Sequence, residues 1–75
     1  MVAAYVLISI SAGDPLDVVT ALRALPAVRQ AHVLLGPTDC IAFVECADHA
    51  DLRDAILEIR AIKGVSNTDT RYVYA

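Results

Sequence analysis

The residues best suited to chemistry in this chain of 75 are concentrated near its midpoint, in the run Gly36-Pro37-Thr38-Asp39. Gly, Pro and Asp are turn residues, so the plain reading of these four is a hairpin connection, with Asp39 making an Asx-type turn bond. An exposed hairpin tip also presents backbone N–H and C=O groups beside one carboxylate. That combination can hold the two charged groups of a free amino acid, with Asp39 taking the ammonium. Thr68 and Thr70 stand two positions apart on an extended segment, so both hydroxyls share one face and suit a small polar ligand. Taken alone they are ordinary strand formers.

The other reactive residue types form no constellation. His32 and His49 do not have metal-ligand spacing, and no Cys-x-x-Cys or His-x-x-x-His accompanies them. Cys40 and Cys46 fall on one expected strand, where about 3.3 Å per residue separates them by roughly 20 Å, too far for a disulfide. They read as core thiols. No glycine-rich phosphate loop, nucleophile elbow or carboxylate dyad is present, so no catalytic residue, metal site or cofactor is expected. Asp14, Asp17, Asp48 and Asp51 serve as helix-start residues, Glu45 has no partner that the sequence identifies, and Arg23, Arg60 and Arg71 read as solvent or interface charges.

The elements that must position the hinge and the two threonines follow from periodicity and breakers. Residues 3–11 are rich in Val, Ile and Tyr and apolar on both faces, which suits a central strand covered on both sides. Asp14 as N-cap and Pro15 in the first turn start a helix over 15–25, with Val18, Val19, Leu22 and Leu25 as its buried stripe and Pro26 as its end. Residues 28–35 and 40–46 form a hairpin across the Gly36–Asp39 hinge. A second helix starts at Asp48, buries Leu52, Ala55, Ile56 and Ile59, and ends at Lys63-Gly64. Residues 65–74 form the last strand. On it Ser66, Thr68, Thr70, Tyr72 and Tyr74 share one face, read as the wall of a subunit interface or ligand site on the side of the sheet that no helix covers.

An internal near-repeat supports this parse. Leu22-Arg23-Ala24-Leu25-Pro26-Ala27-Val28 returns as Ile59-Arg60-Ala61-Ile62-Lys63-Gly64-Val65, each copy a helix end, a breaker and the first residue of a strand. The order is βαββαβ. Right-handed crossovers in both halves give a four-stranded antiparallel sheet, order 4-1-3-2, with both helices on one face: an α+β, ferredoxin-like plait.

Residues 1–75 read as one domain, and 57% of them are apolar, above the roughly 45–50% of ordinary domains. In so short a chain this excess predicts a face buried by another subunit. The net charge of −3 argues against direct nucleic-acid binding. Residues 1–10 lack a charged leader and are too short to span a bilayer, so a cytoplasmic location is expected.

With the order and the hinge placed, the chain resembles the C-terminal effector-binding (RAM) domain of the Lrp/AsnC transcription regulators. The resemblance rests on Ala4-Tyr5-Val6-Leu7-Ile8, Leu25-Pro26-Ala27-Val28, the hinge glycine and aspartate, Gly64-Val65, and Thr68 and Thr70. It looks like a stand-alone form, without the helix-turn-helix domain those regulators carry. The resemblance implies a homo-oligomer, a dimer packed sheet against sheet and rings of four dimers, that binds a small effector, commonly an amino acid, where dimers meet. It places Gly36, Pro37, Thr38, Asp39, Thr68 and Thr70 at that site and makes a full-length regulator a further partner. Thr38 stands where the family often has Tyr, which removes one aromatic pocket wall. Two other functions compete with effector binding: a ligand-free assembly partner of a DNA-binding relative, and a small dimeric plait enzyme working over the open sheet face.

Overall fold

A computed structural model describes all residues, 1–75. The elements are β1 (Val2–Ile10), α1 (Pro15–Arg23), β2 (Val28–Val33), β3 (Cys40–Cys46), α2 (His49–Arg60) and β4 (Val65–Tyr72). The strands form one antiparallel sheet in the order β2-β3-β1-β4, the arrangement expected from the crossover rule. Both helices start as anticipated. The Asp14 side chain accepts from the Leu16 N–H at 2.9 Å, and that of Asp48 from the Asp51 N–H at 2.8 Å, satisfying donors that the first helical turn leaves free.

Element ends differ by one to three residues from the sequence reading; α2, expected to run to Lys63-Gly64, stops at Arg60, where the chain tightens into a turn with Ile62 N–H on Ile59 C=O. α1 stops at Arg23 rather than Leu25, because ahead of Pro26 the chain tightens into turns with Leu25 N–H on Leu22 C=O and Val28 N–H on Leu25 C=O. β2 stops at Val33 because the Leu34 N–H closes the hairpin on the Asp39 carbonyl at 2.8 Å. β4 stops at Tyr72, followed by one further bond from Val73 N–H to Ala3 C=O. Tyr74 then lies fully exposed.

The core lies between the sheet and the two helices. Ala4, Val6 and Ile8 of β1 and Cys40, Ala42, Val44 and Cys46 of β3 pack against Val18, Val19 and Leu22 of α1 and Leu52, Ala55 and Ile59 of α2. Leu25 and Ile56, expected in the helical stripes, are only partly buried at its margin. Both thiols are free and buried, as a core role requires. Burial holds each thiol above its ordinary pKa, with nearby carboxylates (Asp39 for Cys40; Asp51 and Asp48 for Cys46) adding to the effect. Only 14 of 75 residues are buried and none of those is polar. The apolar excess therefore lies largely on the surface. No helix is long and apolar enough to cross a membrane.

Candidate functional site

At the hinge, Gly36 has φ +147, in the region that favours glycine, and the preceding Leu35 is fully exposed. Asp39 is less free than the sequence implies. Its Oδ2 accepts the Ile10 N–H at 2.7 Å. The β1–β3 ladder ends at Ile8↔Cys40, so this carboxylate oxygen takes the place of a backbone acceptor one step past the end of β3. One carboxylate oxygen is thereby committed to the fold, and the other has no hydrogen-bond partner within the chain.

Thr68 and Thr70 lie on the opposite side of the sheet from the one expected. β4 pairs Tyr72, Thr70 and Thr68 with Ala4, Val6 and Ile8 of β1, and residues directly opposed in an antiparallel pair share a face. Since those three β1 residues are fully buried beneath the helices, both threonines stand on the helix side. Alternation along β4 separates the two faces correctly, but which face meets the helices depends on register with β1.

The open face is instead built from Tyr5 and Leu7 of β1, Ile41 and Phe43 of β3, Gln30 and His32 of β2, and Asp69 and Arg71 of β4. The Tyr5 and Phe43 rings sit 4.9 Å apart at 44° across the central strands. Arg71 closes a two-pronged ion pair on Asp69, Nε–Oδ1 3.0 Å and Nη2–Oδ2 2.8 Å. That guanidinium lowers the Asp69 pKa below the ordinary carboxylate value.

The predicted site residues come together only in part. Thr68, Ile8 and Cys40 form one row across the sheet, which puts Asp39 and Thr68 at the same end but two strands apart, roughly 10 Å. Thr70 lies two residues further along β4. It lines a groove of about 220 Å³ between α2 and β4 with His49, Arg53, Arg60 and Tyr72. Gly36, Pro37, Thr38, Asp39 and Thr68 line no cavity of the single chain.

Three side-chain contacts were outside the reach of sequence reasoning. Glu45 pairs with Arg29 at 3.4 Å. Arg23, read as a solvent or interface charge, donates from Nε and Nη2 to the Ala31 carbonyl at 3.1 and 2.8 Å. His49 stacks edge-on to Tyr72 at 5.9 Å. No group of His, Cys, Asp or Glu has metal-holding geometry.

The model of one family, the Lrp/AsnC ligand binding domain, matches residues 3–75. No curated protein matches the chain. Among solved structures, a hypothetical protein from Pyrococcus horikoshii is 34% identical, with TM-score 0.90 over 100% of this chain and 92% of its own. A protein from Thermus thermophilus is 29% identical, with TM-score 0.91 over 100% of this chain and 95% of its own. A transcriptional regulator of Neisseria meningitidis, solved as a complex with L-Met, is 22% identical, with TM-score 0.85 over 99% of this chain and 50% of its own. At that identity the last likeness concerns the fold alone.

Proposed function

The chain belongs to the Lrp/AsnC ligand-binding domain family, and from that membership we propose that it binds a free amino acid at a site completed by a second subunit. Occupancy then changes how transcription regulators of this family assemble. The hinge Gly36–Asp39 receives the ligand's main-chain groups, the uncommitted oxygen of Asp39 takes the ammonium, and the hydroxyls of Thr68 and Thr70 supply further hydrogen bonds. The observation that carries this reading is the hinge tip. Leu35 is a fully exposed leucine beside a carboxylate with one free oxygen, in a loop with no cavity of its own, as expected of half a site. The separation of Asp39 from Thr70 within one copy also favours a ligand that draws these groups from different subunits. The ligand complex of the Neisseria meningitidis regulator gives the amino-acid class a precedent on this fold.

The test is thermal unfolding against a panel of the twenty amino acids, for the natural chain and for Asp39→Ala, each compared with its own ligand-free midpoint. A ligand that binds only the native state stabilises by about 2.7 kcal/mol at a hundred times its Kd, which in a chain of this size raises the midpoint by roughly 10 °C or more. A selective rise that disappears in Asp39→Ala is the expected result. A rise unaltered by that substitution places the ligand elsewhere.

Two observations favour a second reading. Asp39 is already used by the Ile10 N–H, and Thr38 offers the pocket no ring. On this reading the chain is a ligand-free assembly partner, the panel is flat, and native mass spectrometry with a DNA-binding relative shows mixed oligomers.

A further inference from the structure

We propose that copies of this chain dock head to tail through the two flanks of α2, the basic flank of one copy against the acidic flank of the next. This contact is separate from the open sheet face and does not require a ligand, although Thr70, placed above at the ligand site, lines its basic groove.

On α2 the buried stripe Leu52, Ala55 and Ile59 divides the charged residues by sign. Asp51, Asp54 and Glu58 stand at i, i+3 and i+7 on one flank. Together with Glu45 of β3 they border a groove of about 420 Å³ whose apolar wall includes Leu25, Pro26 and Val28. Arg53 and Arg60 stand at i and i+7 on the other flank. They border the α2–β4 groove with His49, and its apolar wall includes Ile56 and Leu57. No carboxylate lines the basic groove, and of the carboxylates at the acidic one Glu45 already meets a cation, Arg29, at 3.4 Å.

Within one molecule these charges are poorly matched. Asp54 and Glu58 are like charges at i, i+4, an arrangement that destabilises a helix unless an opposite charge approaches. Asp51, Glu58 and Arg60 have no ion-pair partner, while Arg53 touches only its neighbour Asp54, at 3.3 Å with both side chains mostly exposed. A second copy supplies the match in sign and in spacing. Asp51 to Glu58 and Arg53 to Arg60 each span seven residues, about 10.5 Å along a helix, so two ion pairs form in register when the flanks meet. Leu57, about half exposed (54%), and Tyr72, at 63%, come into the same contact and add apolar area. Because the two surfaces differ, the contact is heterologous, and repetition of it yields a closed ring or an open chain of copies.

Particle mass by light scattering and sedimentation tests this. The full chain is measured at about 50 and about 500 mM NaCl, since exposed ion pairs weaken as the screening length shortens. Two double variants accompany it, Arg53→Glu with Arg60→Glu, and Asp51→Arg with Glu58→Arg. All four side chains are exposed, so folding is preserved, and circular dichroism checks that it is. At low salt the natural chain is expected to form a particle at least about twice the mass of either variant, and to fall to the variants' mass at high salt. Neither variant makes this contact with itself, because the first carries carboxylates at both sets of pairing positions and the second carries cations at both. Mixed in equal amounts they restore the large particle, every contact now joining opposite flanks. Equal masses for natural chain and variants at low salt overturn the proposal, as does a mixture that stays apart.

Discussion

Gly64 shows how one residue fixes the geometry around it. Its φ is +97, and a Cβ built there collides with the Ala12 backbone carbonyl oxygen. Its own carbonyl accepts the Ser11 N–H at 2.9 Å, so the turn after α2 is clamped onto the end of β1. Gly64→Ala meets both a disfavoured backbone region and a backbone obstacle that has no rotamer to yield. A loss of about 2–3 kcal/mol is expected, read as a fall in the thermal midpoint of roughly 10 °C or more. Gly13 has φ +91 but nothing within 4 Å of the added Cβ; it serves as the control, with a loss limited to the backbone cost. Equal losses at the two positions would refute the close-approach argument. By contrast, the hinge glycine Gly36 has open space around it, so the demand there is conformational rather than steric.

Among the elements, β2 is the one whose anchoring is least local. It is an edge strand, paired only with β3, and its outward carbonyls need partners or water. Arg23, the last residue of α1, supplies one by gripping the Ala31 carbonyl with two donors. Arg23→Ala is expected to cost about 1–2 kcal/mol, since a hydrogen bond from a charged donor is lost from a partly buried carbonyl. Hydrogen exchange should then accelerate in β2 ahead of the other strands; uniform acceleration across the sheet would mean that Arg23 has no particular hold on this edge. Element order, both helix starts and the strand order were legible in the sequence because they depend on local signals: Asp14-Pro15, Asp48, Pro26, Gly64-Val65, and the handedness of the crossovers. The side of the sheet occupied by Thr68 and Thr70 was not legible. It depends on register with Ala4, Val6 and Ile8, some sixty positions away, past a shift in pairing between Ser9 and Ile10. The bond from Ile10 to Asp39 and the grip of Arg23 on Ala31 are likewise tertiary. The candidate site was therefore readable as residue types and not as a single pocket.

For the whole molecule, the question is what covers the open sheet face. The chain exposes 4779 Å², and a stable dimer buries about 800 Å² per partner, a sixth of that surface. The face has the anatomy of an interface, with Tyr5, Leu7, Ile41 and Phe43 at its centre and Gln30, His32 and the Asp69–Arg71 pair at its sides. A two-fold contact here would bring the Tyr5–Phe43 stacks of both copies to the middle. Phe43→Asp would then bury two carboxylates at the centre of the contact, where unpaired charge costs several kcal/mol. At about 500 mM NaCl, where the α2 contact is screened, the variant is expected to be monomeric by light scattering at concentrations where the natural chain is a dimer, with its helices intact, because Phe43 points away from the α1–α2 core. Glu58→Arg, on the helix side, should leave that dimer whole. A Phe43→Asp variant that still dimerises at that salt would assign the apolar sheet to another role.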